Sequence, residues 1–264
     1  MEVIQSKDNM LIKDTKKLKE KRFRALRNQF LVEGFRFVEE ALKSTFQVPY
    51  IFLSEEALER WQSFQINEKL QSASKLYIVK EEILKLLSCT ETPQGVIAVV
   101  NQNNLQFAVK EGFYVLVDRL QDPGNMGTII RSAHAAGASA VITTKGTVDI
   151  FNEKTLRATM GSIFNIPIIE DKDLRIVDAL KSRGFKLIVS SLEGSESFYE
   201  VDLTENVIIA VGNEGSGISE ALYKLGDIKV KIPMPGSAES LNAGAAASIM
   251  MFEAVRQKLT IQSK

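Results

Sequence analysis

The stretch LQDPGNMGTIIRSAHAAGASAVI, residues 120–142, decides the fold of the second half of this chain. An apolar, strand-like run at residues 113–117 leads into Asp-Pro-Gly-Asn, and this turn opens into a helix-like segment carrying a single arginine, Arg131. A second apolar run, SAVITT, follows. Strand, turn, helix and strand in that order are the unit from which parallel sheets are built. The turn matches neither the phosphate-loop pattern GxxxxGKS/T nor the dinucleotide fingerprint GxGxxG.

Outward from that unit, FKLIVSS, NVIIAVG and IKVKIP repeat the strand pattern with helical segments between them. Continuous Val/Ile runs, rather than strict alternation, mark strands covered on both faces. Residues 241–258 are rich in alanine and end amphipathically, which predicts a long helix. Upstream, residues 23–43 pattern as helix and strand around FLVEGFRFVEEAL, where Phe35, Val38 and Leu42 recur at helical spacing. VPYIFLS, KLYIVK and QGVIAVV read as strands, and SEEALERWQSF and EEILKLLS as helices, the first with Ser54 as its N-cap. The polar run Asn-Gln-Asn-Asn at 101–104 reads as a linker. The expected architecture is α/β, with a small N-terminal domain over residues 1–104 and a parallel-sheet domain over residues 105–264.

Bulk properties narrow the chemistry. The 264 residues are 45% hydrophobic and 25% charged, the balance of an ordinary globular chain. No apolar run approaches the roughly 18 residues needed to span a bilayer, and MEVIQSKDNM lacks the apolar region of a signal peptide, so a soluble, cytoplasmic protein without a membrane partner is expected. Cys89 is the only cysteine and His134 the only histidine, which excludes an intramolecular disulfide and a cysteine-based zinc cluster. The net charge is zero, yet residues 13–27 carry eight Lys or Arg against two acids. Such a segment suits either RNA phosphates or a solvated helix face.

Open parallel sheets bind ligands outside the carboxyl ends of their strands. Three turns there are unusual: residues 122–127 with Arg131 beyond them, VGNEGSGIS at 211–219, and IPMPGSAESLN at 232–242. Gly212, Gly215 and Gly217 allow close backbone approach to a ligand. Asn213 and Glu214 place an amide and a carboxylate where an ordinary turn needs no charge. Ser240 and Asn242 are helix-capping types.

In order and spacing, DPGNMGTIIRSAHAAG, VGNEGSGIS and IPMPGSAESLNAGAAASIMMFEAVRQ resemble the three signature motifs of the SpoU-type RNA ribose 2'-O-methyltransferases of the SPOUT superfamily. FLVEGFRFVEEAL and ETPQGVIAVV are similar to the family's small substrate-binding domain, which is related to ribosomal proteins that bind kinked RNA.

The resemblance implies a deep trefoil knot in the C-terminal part, a feature that spacing alone cannot reveal. It implies S-adenosylmethionine bound between Gly212, Asn213, Ile232, Met234 and Leu241, with Ser190 and Ser191 lining the same cleft. It assigns the reaction site to Asn125, Arg131, Glu214, Ser240 and Asn242, with no metal. Ala243 and Gly244 stand where the family usually has branched or hydroxyl residues. The implied reaction is attack of a ribose 2'-hydroxyl on the sulfonium methyl, in 23S ribosomal RNA or alternatively in transfer RNA. A homodimer through the last helix and the helix after the first motif is implied as well. Two readings from other classes are a catalytically silent RNA-binding protein, against which the filled residue set argues, and a nicotinamide-dependent oxidoreductase, which lacks its glycine fingerprint.

Overall fold

The computed structural model describes residues 2–103, 105–191 and 196–262, so Asn104 of the expected linker lies outside the described residues. In chain order the first elements are β1 (Glu2–Ile4), α1 (Met10–Lys17), α2 (Lys21–Arg27), β2 (Gln29–Glu33), α3 (Phe35–Lys43), β3 (Tyr50–Ser54), α4 (Leu58–Ser63), β4 (Lys75–Val79), α5 (Glu81–Leu87) and β5 (Val96–Asn101). Then come β6 (Phe113–Val117), α6 (Pro123–Ala135), β7 (Val141–Thr144), α7 (Glu153–Thr159), β8 (Ile168–Asp171), α8 (Arg175–Lys181), β9 (Lys186–Ser190), β10 (Glu196–Ser197), β11 (Val207–Val211), α9 (Glu220–Leu225), β12 (Ile228–Lys231) and α10 (Ala243–Gln262).

These elements form two units. One contains Met1–Asn103 together with Phe151–Phe164, and the other Asn104–Ile150 with Asn165–Lys264. The sequence suggested one cut at 104/105. The structure adds a later segment, with α7, to the N-terminal unit, and the reason is aromatic burial. Phe30 of β2 lies 4.7 Å from Phe151 by ring centroids, and Phe164 lies 5.1 Å from Phe46 and 5.5 Å from Phe37.

In the N-terminal unit the sheet order is β1-β4-β3-β5-β2, with β5 antiparallel to both its neighbours and the other pairs parallel. Ser54 does not cap a helix as expected. Its side chain makes no cap bond, a 3-10 turn at Glu55–Ala57 intervenes, and α4 begins only at Leu58. Much of the basic run is spent on structure. Buried Arg24 donates to the carbonyls of Leu18 and Lys19, Lys19 Nζ donates to the Ser88 carbonyl, and Lys17 and Arg27 both pair with Asp14.

All seven strands of the second sheet are parallel, in the order β10-β12-β9-β11-β6-β7-β8. Every residue of β6 and β11 is buried, as continuous apolar runs require. One face of the sheet, with Tyr114, Leu116, Leu187, Val189 and Ile208, packs on Val177 and Leu180 of α8 and Leu222 of α9. α10 packs along α6 and against β11. The sequence pattern missed β8 and β10: β8 is only partly buried and β10 is two residues long, so neither shows an apolar run. The last helix starts at Ala243 rather than 241, because Asn242 is its cap. The Asn242 carbonyl accepts from Ala246 N–H and its side chain from Ala245 N–H.

Candidate active site at the carboxyl ends of the parallel strands

From β6 the chain adds β7 and β8 on one side of the sheet, then crosses to place β9 and β11 on the other. The boundary between β6 and β11 is therefore a topological switch point, where open sheets leave a crevice. Val117 and Val211 end these strands in register, so the turns that follow them lie side by side.

Asp118 anchors this end of the sheet. It is 1% exposed; its carboxylate accepts from Thr144 Oγ1 at 2.7 Å and from the Ser219 amide at 2.6 Å. It thus ties β6 to the ends of β7 and of the β11 turn. Sequence reasoning passed over it, although a charged residue closing an all-apolar strand was a signal. Arg119, next in the chain, adopts φ +54°; its amide donates to Thr144 Oγ1 and its carbonyl accepts from Asn213 Nδ2 at 2.9 Å.

Asp122 caps α6 by accepting the Asn125 amide at 2.7 Å, and Pro123 takes the first helical position, where its missing N–H costs nothing. The three unusual turns are then joined by one chain of polar contacts. Glu214 Oε1 accepts from Asn125 Nδ2 at 3.0 Å and from the Asp122 amide at 3.1 Å, and Oε2 accepts from the Gln121 amide at 3.3 Å. Asn125 Oδ1 in turn accepts from Asn242 Nδ2 at 2.7 Å. Burial pushes the Glu214 carboxyl up, but the bonds from Asn125 and from backbone amides outweigh it and hold the group below the usual carboxylate range. Glu214 is therefore an anion that orients donors, not a proton source at neutral pH.

A cavity of about 890 Å³ opens beside this chain of contacts. Ser190 and Ser191 after β9, and Gly212, Asn213 and Glu214 after β11, form one part of its wall. Ile232 and Met234 after β12, with Ser240, Leu241 and Asn242 ahead of α10, form another part, and Lys231 at the end of β12 adds a cation to the wall. All the residues expected to hold the cofactor are thus brought together, with three of the five expected at the reaction centre. Asn125 is not a wall but reaches the cavity through Glu214 and Asn242. Arg131 is not a wall either: it stands exposed on α6 with no hydrogen-bond or ion-pair partner among the described residues.

Two glycines have steric reasons. A Cβ on Gly212 would lie 2.3 Å from the Gly217 carbonyl carbon, because Asn213 and Gly217 are paired by two backbone bonds of 3.0 Å. A Cβ on Gly244 would lie 3.2 Å from the Thr128 side chain, so at this departure from the family pattern α10 packs tightly on α6. Ser132 and Ser248 join the same helices at 2.8 Å. Among the described residues, no group of three or more His, Cys, Asp or Glu side chains is placed to hold a metal ion, and no helix is long and apolar enough to cross a membrane.

Compared with known proteins, residues 112–252 match the SpoU rRNA Methylase family and residues 9–98 the MRM3-like substrate binding domain. The chain is 38% identical to the 23S rRNA (guanosine(2553)-2'-O)-methyltransferase RlmP of Bacillus subtilis, over 96% of this chain and 98% of that protein. Among solved structures it is similar to the SpoU methyltransferase AviRb of Streptomyces viridochromogenes in complex with AdoMet, at TM-score 0.87 and 30% identity over 96% and 99% of the two chains. It is also similar to the AdoMet-bound rRNA methyltransferase of Sinorhizobium meliloti, at TM-score 0.85 and 31% identity over 97% of both chains.

Proposed function

The chain belongs to the SpoU rRNA methylase family, and on that premise we propose that it methylates a ribose 2'-hydroxyl of 23S ribosomal RNA. It is an RNA 2'-O-methyltransferase that uses S-adenosylmethionine. The observation that carries the reading is the cavity at the switch point, with the Glu214–Asn125–Asn242 chain closing one side. Its volume lies within the range of about 300–1,000 Å³ typical of ligand sites, and Gly212, in its wall, lets the turn close tightly on Gly217. Bound there, S-adenosylmethionine supplies an electrophilic sulfonium methyl.

In this reading the backbone around Gly212, Ile232 and Leu241 holds the adenine, while Asn213, Met234, Ser190 and Ser191 complete the pocket. Asn125, fixed at both ends of its amide, keeps the first turn against Glu214, and Ser240 faces the ribose from the third. Arg131 is always charged near neutral pH and cannot take a proton. It grips an RNA phosphate and stabilises the alkoxide that develops as the 2'-oxygen attacks the methyl carbon and the C–S bond breaks. The hydroxyl proton passes to water or to a phosphate oxygen, because the hydrogen bonds to Glu214 hold its carboxyl below the usual range and leave it a weak base.

The reading includes the trefoil knot around the cofactor, a cytoplasmic setting and a homodimer. In support of the dimer, α10 exposes Phe252 and Leu259, 47% and 58% accessible, beside the small residues that let it approach α6. A dimer mass in sedimentation that becomes a monomer in Phe252→Lys supports it, and a wild-type monomer refutes it.

Gly212→Ala tests the pocket. Forcing the turn open should weaken S-adenosylmethionine binding about 5- to 150-fold, since overpacking typically costs 1–3 kcal/mol. Calorimetric titration measures it, and unchanged affinity would place the cofactor elsewhere. The whole reading is tested by methyl transfer from labelled S-adenosylmethionine to 23S rRNA and, in parallel, to transfer RNA, with digestion to nucleosides. Label in a 2'-O-methylnucleoside from 23S rRNA supports it. Label only in transfer RNA overturns the substrate, and no label despite cofactor binding favours a silent RNA-binding protein.

A further inference from the structure

Five non-glycine residues among those described have a positive φ: Asn28, Gln65, Arg119, Met160 and Leu174. Four sit at helix ends. Asn28 and Met160 follow α2 and α7, Leu174 precedes α8, and Gln65 precedes the short 3-10 helix Ile66–Lys69. Arg119 is the exception, since the next helix is capped by Asp122. It occupies the left-handed region, at φ +54°, where glycine would sit without strain. A long cationic side chain retained at such a position points to what the side chain does.

The side chain is held, but not used up. Its Nε lies 3.6 Å from the buried carboxylate of Asp118, an ionic contact too long for a hydrogen bond, and Nε itself is buried without a hydrogen-bond partner. The two terminal nitrogens make no hydrogen bond to the described protein and are not buried, and the side chain is 41% exposed. The guanidinium is therefore oriented on one side by Asp118 and free on the other to receive an anion. Charge adds a second argument. The turns that flank the cavity, residues 118–125 and 212–219, contain three carboxylates, Asp118, Asp122 and Glu214, and Arg119 is their only Lys or Arg. Lys231 in the cavity wall and Arg131 on α6 are the other cations nearby, and within these two turns Arg119 alone offsets the like charge that a polyanion meets.

We propose that Arg119 is a substrate-binding residue of this site that grips an RNA phosphate beside the nucleotide being methylated, an inference that rests on the RNA methyltransferase reading above. Planar guanidinium forks suit phosphate bidentately, and Asp118 pre-orients this one. The backbone bonds of residue 119 to Thr144 and Asn213 do not involve the side chain, so its removal should leave the scaffold in place.

The test uses the full-length protein, S-adenosylmethionine and transcribed 23S rRNA, with Arg119→Gly and Arg119→Lys. Arg119→Gly relieves the strained backbone and should melt within about 2 °C of wild type or above it. Its cofactor affinity should be unchanged within twofold. RNA affinity should fall about tenfold, equivalent to ~1.4 kcal/mol, and the slope of log affinity against log salt should shrink by about 0.7–0.9 for one lost phosphate contact. Arg119→Lys should recover part of the affinity and the whole slope. RNA affinity and slope both unchanged in Arg119→Gly would overturn the proposal, as would a parallel loss of cofactor affinity and thermal stability, the mark of a purely structural role. A wild-type protein that binds S-adenosylmethionine but no 23S rRNA would overturn the RNA reading itself, and this inference with it.

Discussion

Arg131→Ala is expected to bind S-adenosylmethionine with near wild-type affinity and to transfer the methyl group about 10²–10³-fold more slowly, the usual loss when a preorganised group that stabilises developing charge is removed. The separation of the two effects follows from where Arg131 stands. It is exposed on α6, does not wall the cavity, and has no partner among the described residues, so truncation leaves no buried group unsatisfied and no cofactor contact broken. Arg131→Lys keeps the charge but loses the planar fork, and should restore only part of the rate. Calorimetric titration of the cofactor and single-turnover methyl transfer to 23S rRNA measure the two quantities. Wild-type-like turnover in Arg131→Ala would remove this residue from the reaction centre; a proportional loss of cofactor affinity would make it part of the pocket instead.

Phe164→Ala should cost about 3–5 kcal/mol of stability, the range for deleting a buried aromatic ring. Phe164 is 3% exposed and its ring faces Phe30, Phe37 and Phe46 at centroid distances of 6.3, 5.5 and 5.1 Å. The loss should be local. The rings it abandons belong to the N-terminal unit, whereas the parallel-sheet unit keeps its own core around Tyr114, Leu187 and Ile208. Hydrogen exchange should show β2 and α3 opening far more readily, with the melting transition of that unit lowered by about 12–20 °C. Unchanged exchange in residues 30–46 would mean that Phe151–Phe164 contributes nothing to that unit. Because of this segment, a fragment ending at residue 103 should be less stable than the same unit in the intact protein.

Much of the candidate site was legible in the sequence because its residues sit in turns whose residue types are unusual for turns. Glu214 beside Asn213, and Asn125 after Pro123 and Gly124, stand out where an ordinary loop needs neither charge nor fixed amides. The strands β6, β9 and β11 were legible for a different reason: burial on both faces leaves unbroken apolar runs. The edge strands β8 and β10 escaped notice because an edge that is short or half exposed has no such run. Asp118 was overlooked because its role depends on Thr144 and Ser219, partners 26 and 101 residues away.

By itself, the sequence determined the α/β class, the parallel character of the second sheet, the three unusual turns that build the candidate site and, through motif order, the family. These are local properties, set by side-chain periodicity, turn residues and spacing along the chain. Only the tertiary structure decided that Glu214, Asn125 and Asn242 share one line of hydrogen bonds, that Phe151–Phe164 completes the N-terminal core, and that Arg119 is held at φ +54° against a buried carboxylate. Each of those depends on long-range pairing, because a hydrogen bond or ring contact between residues far apart in the chain leaves no periodicity to read. The strand order β9-β11-β6 brings the first and the last of these together, and that order is a property of the folded sheet rather than of any segment within it.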